Sequence, residues 1–303
     1  MGYIKNMLST KAKLLRLFQI RMQRAYFHHS KRQPLNIAKE ENVNKAINDD
    51  QEILKIVCIS DTHNKLKDQC FPGGSILIHA GDFTRNGFHQ DISNFDSWMS
   101  RQSYQRKLCI AGNHEVSLDS KLMSQIVKNG THLRYMNFDY TQVKGLFKNC
   151  EYLEDSSTSV NSYKIYGSPW TIGSTRWGFT IPKEMDHIET WNHIPQDVDI
   201  LITHSPPYGI LDKTEEGINI GSQGLREMVL QIKPIVHIFG HAHESYGYTM
   251  VEGIHFINAS TCTRAQSPTN PAIVFSLEKS KDKYTKDSKG FKVESNLIAE
   301  NLN

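Results

Sequence analysis

The amino-acid sequence predicts a mixed α/β domain in which sheets are covered by helices. Short apolar runs alternate with helical stretches along most of the chain, and 303 residues suffice for a sizeable core. Hydrophobic residues make up 38% of the sequence and charged residues 22%, which is typical of globular proteins. No apolar run approaches the roughly 18 residues that a membrane helix needs.

Apolar runs bounded by turn residues predict the strands. They lie at Ile53–Ser60, Ser75–Ala80, Lys107–Ala111, Tyr163–Tyr166, Asp199–Thr203, Ile235–Phe239, His255–Asn258 and Ala272–Leu277. Apolar residues that recur every three or four positions predict helices at Ile92–Tyr104, Asp119–Asn129 and Ser222–Ile232.

Charge and composition divide the chain into a predicted domain, 51–278, a basic extension, 1–50, and a polar, loose tail, 279–303. Residues 1–39 contain nine Lys or Arg and no Asp or Glu, which gives this segment a net charge of +9. Since the whole chain has a net charge of +3, residues 40–303 carry −6. A weakly acidic body disfavours long nucleic acid as a partner.

The extension and the cysteines bear on the compartment. Leu8–Tyr26 gathers apolar side chains on one side of a helical wheel and basic ones opposite, which fits either a mitochondrial transit peptide or a solvated basic arm. Five scattered cysteines without a Cys-x-x-Cys pair indicate a reducing compartment with thiols used in the core. The sequence thus predicts an intracellular protein, cytoplasmic or mitochondrial, and leaves its oligomeric state open.

Five of the apolar runs end in residues that can bind metal ions. These ends read Asp61-Thr62-His63, Gly81-Asp82, Gly112-Asn113-His114-Glu115, His204 and Gly240-His241-Ala242-His243. Open α/β sheets place ligands at the carboxyl ends of strands. A fold that joins these ends would concentrate two Asp, one Asn and five His in one cleft.

The residue types suit the hydrolysis of a phosphate ester. Two metal ions about 3.5–4 Å apart neutralise phosphoryl oxygens, generate hydroxide near neutral pH and stabilise the leaving oxygen. His241 and His243, like Asp61 and His63, are two residues apart and would share one face of an extended stretch. A glycine beside a ligand would let the backbone turn sharply. A lone Asp-x-His pattern is weak, but five such blocks in order make an accident improbable.

Two further histidines, His79 and His237, lie inside apolar runs. Hydrogen-bonded core positions are predicted for both, with support of a metal ligand as the alternative.

The five blocks from Asp61 to His243 resemble those of the calcineurin-like metallophosphoesterase superfamily. Three further stretches resemble its metallophosphoesterase-domain-containing, fetal-brain-protein-like subfamily. They are Ile165-Tyr166-Gly167-Ser168-Pro169-Trp170, Thr203-His204-Ser205-Pro206-Pro207 and Ile257-Asn258-Ala259-Ser260-Thr261-Cys262-Thr263. The resemblance covers residues 53–278 and implies two stacked mixed β-sheets flanked by helices.

The resemblance also implies roles for individual residues. The first metal ion would be held by Asp61, His63, Asp82 and His243. Asp82 would bridge to the second ion, which is completed by Asn113, His204 and His241. His114 would protonate the departing alkoxide or steady the transition state. Mixed nitrogen and oxygen ligands suit Mn²⁺, Fe or Zn²⁺.

The sequence departs from one branch of this superfamily. Protein Ser/Thr phosphatases carry Gly-Asp-x-x-Asp-Arg-Gly, whereas this chain reads Gly81-Asp82-Phe83-Thr84-Arg85-Asn86-Gly87, which argues against phosphoprotein substrates. Some subfamily members have Gly in place of the first His of the last block and bind nucleotides while catalysing poorly. The presence of His241 favours an active enzyme.

The leading hypothesis is a phosphodiesterase that acts on small phosphodiesters such as cyclic nucleotides, by attack of a metal-bridging hydroxide. A nucleotide-binding regulatory or scaffold protein with vestigial catalysis is the alternative, and a nuclease is a third possibility. Arg85 and Trp170 are the predicted substrate contacts. Trp170, Trp177 and Phe179 could stack a base or pack in the core.

Overall fold

The computed structural model describes residues 53–66, 69, 71–130, 139–173, 176–278 and 292–293. All of them belong to the compact unit Ile47–Asn303. The basic extension with its predicted amphipathic stretch, and most of the predicted tail, lie outside the described residues. The domain limits and the choice between cytoplasm and mitochondria therefore stay predictions.

The described secondary structure alternates between strands and helices. In chain order the elements are β1 (Ile53–Ile59), β2 (Ile76–Ala80), α1 (His89–Ser100), β3 (Arg106–Ile110), α2 (Ser120–Lys128), β4 (Glu151–Leu153), β5 (Ser156–Val160), β6 (Tyr163–Ser168), β7 (Thr171–Ile172), β8 (Thr180–Ile181), β9 (Ile200–Thr203), α3 (Gln223–Ile232), β10 (Val236–Phe239), β11 (Gly247–Val251), β12 (Ile254–Asn258), β13 (Ile273–Glu278) and β14 (Lys292–Val293). Short 3₁₀ turns occupy several of the connections.

Two six-stranded sheets form the frame of the domain. The first has the order β14-β13-β1-β2-β3-β4, with β1 to β4 parallel to one another and β13 antiparallel to both β1 and β14. The second has the order β11-β12-β10-β9-β6-β5, in which the four central strands are parallel and both edge strands antiparallel. Strands β7 and β8 form a small parallel pair. Both large sheets are mixed, which confirms the predicted fold class.

Alternating side chains along each strand build separate apolar layers. In β1, Ile56 and Cys58 enter a core shared by strands of both large sheets, whereas Val57 and Ile59 pack with Phe95 of α1. This is the period of two that a strand buried on both faces produces. A third core joins the second sheet to α3. The sheets therefore stack face to face, with helices on their outer faces.

The helices begin and end close to their predicted limits, apart from α1. Asp119 caps α2 by accepting from Leu122 N–H at 2.9 Å, and Ser222 caps α3 in the same way. The helix predicted at Ile92–Tyr104 instead spans His89–Ser100, because Tyr104 lies beyond the helix and its hydroxyl donates to the Pro72 carbonyl. None of the described helices combines the length and hydropathy that a bilayer crossing requires.

Candidate metal centre

The ends of five parallel strands converge on one site. Asp61 and Asp82 follow β1 and β2, and Asn113 follows β3, all in the first sheet. His204 directly follows β9, and His241 lies two residues after β10, both in the second sheet. All five side chains are buried or nearly so. Since both sheets present the carboxyl ends of their parallel strands here, residues far apart in sequence become neighbours.

Among the described residues there are three groups of side chains that could hold a metal ion. Within each group, the donor atoms lie within 4.8 Å of one another. The first contains Asp61, His63 and His243; the second His63, Asp82 and His114; the third Asp82, His204 and His241. Asp82 and His63 each belong to two groups, so the three groups form one continuous cluster.

Short donor–donor distances tie the cluster together. His243 Nε2 lies 3.3 Å from Asp61 Oδ1 and 3.3 Å from His63 Nε2. His204 Nε2 lies 3.3 Å from Asp82 Oδ2 and 3.2 Å from the Asn113 side-chain oxygen. The structure thus brings together all seven residues that the family resemblance implies as ligands.

The backbone at the site differs from the extended stretch that the residue spacing suggests. Asp61, His63, Asp82 and His241 have φ angles of 52°, 43°, 55° and 69°, in the left-handed region that side chains usually avoid. His241 and His243 also fall into different donor groups. Asp61 and His63 share one group, so the predicted common face is found for that pair and not for His241 and His243, and the predicted extended backbone is wrong for both pairs. The chain turns at the ligands themselves, at about 1–3 kcal/mol for each strained residue.

Glycines beside the ligands provide space as well as a turn. Gly81 has a φ of 95°, as the predicted turning role requires. Gly112 and Gly240 lack positive φ, but a Cβ atom at Gly112 would overlap Asp82 Oδ1 and one at Gly240 would overlap Asp61 Oδ2. These two positions need glycine because the carboxylates approach the backbone closely.

Main-chain carbonyls orient three of the imidazoles. Nδ1 of His63 lies 3.1 Å from the carbonyl of Thr84, and Nδ1 of His204 lies 2.9 Å from that of Ala80. Nδ1 of His243 is held in the same way by a main-chain carbonyl, at 3.1 Å. Because a carbonyl only accepts, each Nδ1 carries the proton, and each Nε2 faces the cluster.

The two core histidines support the site from behind. His79 Nε2 lies 2.9 Å from the hydroxyl of Thr62, the residue between Asp61 and His63. His237 Nε2 lies 2.7 Å from the hydroxyl of Thr203, which directly precedes a predicted ligand. Both rings are fully buried. This confirms the prediction of hydrogen-bonded core histidines and places each against a residue next to a ligand.

The carboxylates of Asp61 and Asp82 each lie 3.3 Å from an imidazole nitrogen, that of His243 and His204 respectively. Burial by itself lowers the pKa of His204 and His243, but the charges of Asp82 and Asp61 outweigh it and raise these pKa values to about 10 and about 9. Burial likewise raises the carboxyl pKa values, but the same imidazoles bring those of Asp61 and Asp82 below their usual range. The two carboxylates thus favour positive charge at these imidazoles, a charge that a bound metal ion would supply in place of the protons.

The donor set fits divalent metal ions. Donor atoms that bind one ion at about 2.1 Å lie roughly 3–3.5 Å from one another. The distances from His204 Nε2 to Asp82 Oδ2, 3.3 Å, and to the Asn113 side-chain oxygen, 3.2 Å, fall in this range. The other two imidazoles have low pKa values: burial lowers that of His63, and burial with the charge of His204 lowers that of His241 to about 4. Neutral imidazoles and ionised carboxylates are the forms that bind metal.

His114 lies at the edge of the cluster. Its Nδ1 donates to the Arg85 carbonyl at 2.6 Å, and its Nε2 lies 3.8 Å from Asp82 Oδ2. Its side chain is 20% exposed, and the Trp177 ring lies 4.2 Å away, centroid to centroid. His114 therefore faces both the donor cluster and solvent.

The predicted substrate contacts take different positions. Arg85 is exposed and donates to the Gln266 side chain at 3.0 Å. The Trp170 indole donates to Asp155 at 2.8 Å and meets the Phe179 ring edge-on at 5.6 Å. Phe179 is 2% exposed and so offers no face to a base, while Trp177 is 37% exposed. Substrate contact by Arg85 and Trp170 stays a prediction.

Glu115 is the main site residue that sequence reasoning assigned no role. Its carboxylate is fully buried and accepts four hydrogen bonds, from the backbone N–H groups of Asp82, Thr84 and Gly112 and from the Thr84 hydroxyl. Burial and the charge of Asp82 raise its pKa to about 8, whereas these hydrogen bonds favour the anion. Its place at the end of Gly-Asn-His-Glu was the one signal available. Glu115 holds together the two loops that carry Asp82 and Asn113.

Comparison with known proteins agrees with this fold. The family model for calcineurin-like phosphoesterases matches residues 54–245. The chain belongs to this family, and it is by class a metallophosphoesterase, a metal-dependent hydrolase of phosphate esters.

Among its relatives, the chain is similar to metallophosphoesterase domain-containing protein 1 of Homo sapiens. The two are 39% identical over 230 residues, which cover 74% of this chain and 71% of the human protein. UPF0046 protein K07C11.7 of Caenorhabditis elegans is 33% identical over 78% of this chain and 80% of its own length. One solved structure, 13% identical, covers 80% of this chain and 98% of its own with a TM-score of 0.50, which shows the fold alone.

Proposed function

We propose that the protein is a phosphodiesterase for small phosphodiesters, with 2′,3′- or 3′,5′-cyclic nucleotides as the substrate class, and that it uses two divalent ions, Mn²⁺, Fe or Zn²⁺. When bound, such ions neutralise the phosphoryl oxygens and acidify water. Asp61, His63, Asp82 and His243 would hold one ion, and Asp82, Asn113, His204 and His241 the other. The observation that carries the proposal is the position of Asp82 between the two sets.

Asp82 is suited to serve both ions. Its Oδ2 lies 3.3 Å from His204 Nε2 on one side and 4.0 Å from His63 Nε2 on the other. Its Oδ1 accepts the backbone N–H of His114 at 2.9 Å, which fixes the carboxylate plane. Asp82 Oδ2 is thereby held between the two sets of imidazoles.

His114 supplies the proton in the proposed reaction. Its Nδ1–H is engaged by the Arg85 carbonyl, so Nε2 is the atom that faces a bound substrate. Proton transfer from Nε2 to the leaving oxygen as the phosphorus–oxygen bond breaks would avoid a free alkoxide, an effect worth typically 10²–10⁴-fold. His114 Nε2 lies 3.8 Å from Asp82 Oδ2, which places the proposed proton donor beside the carboxylate that both donor sets share.

Three features support a small diester as the substrate. The loop after Asp82 lacks the Asp-Arg pair of protein phosphatases. The exposed ring of Trp177 beside His114 offers an aromatic surface for a base. The net charge of −6 beyond residue 39 disfavours long nucleic acid.

Metal-dependent turnover by the purified full-length chain tests the proposal. We expect Mn²⁺-loaded protein to hydrolyse bis(p-nitrophenyl) phosphate and cyclic nucleotides faster than p-nitrophenyl phosphate, and EDTA to abolish the activity. A preference for phosphoserine peptides over every diester would refute the substrate class. Tight nucleotide binding without turnover would instead favour the alternative, a nucleotide-binding regulatory protein, which the complete set of donors disfavours.

A further inference from the structure

Two cationic side chains lie on the loops that carry the predicted ligands. Lys65 follows His63 in the loop after β1, and Arg85 follows Asp82 in the loop after β2. Both contact Gln266: Lys65 Nζ donates to its main-chain carbonyl, and an Arg85 guanidinium N–H donates to its side-chain oxygen at 3.0 Å. One residue thus gathers two positive charges from two ligand-bearing loops.

Hydrogen bonds connect this pair directly to the imidazoles of the site. The carbonyl of Arg85 accepts from His114 Nδ1 at 2.6 Å. The carbonyl of Thr263 accepts from both His243 Nδ1, at 3.1 Å, and Gln266 N–H, at 2.7 Å. Gln266 itself has a φ of 54°, a strained conformation that tends to occur at functional sites. The two cations therefore lie at the rim of the metal centre.

Among the described residues, the two charges of this rim have no carboxylate partner. Within the part of the chain that the structure describes, no carboxylate forms an ion pair with Lys65 or Arg85, and Gln266 is neutral. Arg264 shows the contrast, because it lies two residues before Gln266 and is paired with Glu215 at 3.0 Å and with Glu216 at 2.6 Å. Lys65 is half-buried and Arg85 is exposed, so both can reach a ligand in solvent.

We infer that Lys65 and Arg85 form a second anion subsite, which binds a phosphate group of the substrate other than the one that is hydrolysed. This inference rests on the proposed function and narrows its substrate class to nucleotide phosphodiesters that carry an additional phosphate monoester. A guanidinium binds two phosphate oxygens at once and an ammonium adds a point charge. Their present partners on Gln266 are neutral, and hydrogen bonds between charged groups are stronger, so a phosphate dianion can displace them.

The test compares two chromogenic substrates that differ by one phosphate. Thymidine 5′-(p-nitrophenyl phosphate) and its 3′-phosphorylated form are hydrolysed by the full-length, Mn²⁺-loaded protein, and the ratio of their kcat/KM values is measured. We expect the 3′-phosphorylated substrate to be favoured about tenfold, since two partly exposed charge contacts each contribute a modest factor. The double variant Lys65→Gln/Arg85→Gln should bring the ratio close to one, and each single variant should remove part of the preference.

Lys164→Gln is the matched control. Lys164 lies near the amino end of β6, about 13 Å along the strand from Ser168 at the end that faces the site. It also forms an ion pair with Asp197 at 2.6 Å. Its removal takes away one positive charge, as each single variant does, but far from the rim, so the substrate ratio should stay as in the wild type. Raising NaCl from 0.05 to 0.5 M should reduce the wild-type preference through screening.

The possible outcomes separate the subsite from the proposed function. If the double variant keeps the wild-type ratio of kcat/KM values, or if its activity towards both substrates falls equally, the proposed subsite is overturned, while diester hydrolysis still stands. If neither substrate is hydrolysed, the proposed function fails and calorimetry decides the subsite. Mn²⁺-loaded wild type should then bind thymidine 3′,5′-bisphosphate about tenfold more tightly than thymidine 5′-monophosphate, and the double variant should not. Equal affinities in the wild type would overturn the inference.

Discussion

Substitution of Glu115 by Gln should loosen the centre without removing any donor of the cluster. The two carboxylate oxygens each accept two hydrogen bonds: Oε2 from the N–H groups of Asp82 and Gly112, and Oε1 from the N–H and hydroxyl of Thr84. The four distances lie between 2.7 and 2.9 Å. All four lone pairs of the anion are therefore in use.

The magnitude follows from this arrangement. In the more favourable orientation the Gln NH₂ group replaces Oε1, so the Thr84 N–H is left without an acceptor while the Thr84 hydroxyl can rotate to accept from the amide. A buried donor without an acceptor costs about 1–3 kcal/mol, and removal of a buried charge offsets part of the loss. We expect Glu115→Gln to reduce the free energy of unfolding by about 1–3 kcal/mol. Displacement of Asp82 and Asn113 should also weaken Mn²⁺ binding about 10–100-fold.

Urea unfolding in EDTA measures the first effect, and calorimetric titration with Mn²⁺ measures the second. The unfolding experiment is done at pH 9, above the Glu115 pKa of about 8, so that the wild-type carboxylate is ionised. Glu278→Gln is the control, because Glu278 forms an exposed ion pair with Lys292 at 3.0 Å. Such pairs contribute about 0–1 kcal/mol. A Glu115→Gln protein that matches this control in stability and the wild type in Mn²⁺ affinity would refute the proposed ordering of the loops.

Three further predictions concern single histidines. His241→Gly leaves one donor set with only Asp82, Asn113 and His204. We expect metal analysis to find about one tightly bound ion per chain, and turnover to be lower by orders of magnitude and partly restored by excess Mn²⁺. Wild-type turnover with one bound ion would contradict the two-ion mechanism. His114→Ala should reduce kcat about 10²–10⁴-fold for substrates with basic leaving groups and far less for p-nitrophenyl esters, with unchanged metal content; equal losses would mean that His114 acts on the phosphoryl charge. Burial lowers the pKa of His237 to about 3, so its neutral form stabilises the fold above pH 6.5 and that contribution is lost as pH falls from 6.5 towards 3. Between pH 7.5 and pH 5.5, the free energy of unfolding measured with urea should therefore fall by about 1 kcal/mol less for His237→Gln than for the wild type. Identical decreases would show that His237 does not titrate on unfolding.

The central strands were predictable, whereas the edges of the sheets were not. Strands β1, β2, β9 and β10 are buried on both faces, and continuous apolar runs such as Ile53–Ile59 mark them clearly. β5 has the sequence Ser156–Val160 with alternately exposed side chains, and β11 at Gly247–Val251 is also partly exposed. Such edge strands carry too little apolar pattern to be distinguished from loops. β14 lies within the predicted loose tail, where Lys292 and Val293 pair with β13.

The donors of the site were predictable because chemistry limits which side chains can bind metal. The left-handed conformations of Asp61 and His241 were not, since no local sequence rule requires them. They depend on contacts that only the assembled sheets provide: Asp61 N–H donates to the Gly81 carbonyl at 3.0 Å, and His241 N–H donates to the Asp61 carboxylate. Each strained turn is held by a residue from another strand end.

The ligands are oriented by residues that lie far away in the sequence. For this reason the sequence alone does not distinguish metal donors from the residues that support them. Asp61 accepts from the backbone of His241 and from the Ser260 hydroxyl at 2.8 Å, so its carboxylate is oriented by two segments about 180 residues or more further along the chain. Asp82 is likewise oriented by His114 N–H, while Glu115 fixes the Asp82 backbone. Strain at the ligands would relax in a loosely held loop. These buried hydrogen bonds hold the strained turns in place, so the assembled sheets fix the position of each donor, and loss of the Asp61 carboxylate should also release the turn at His241.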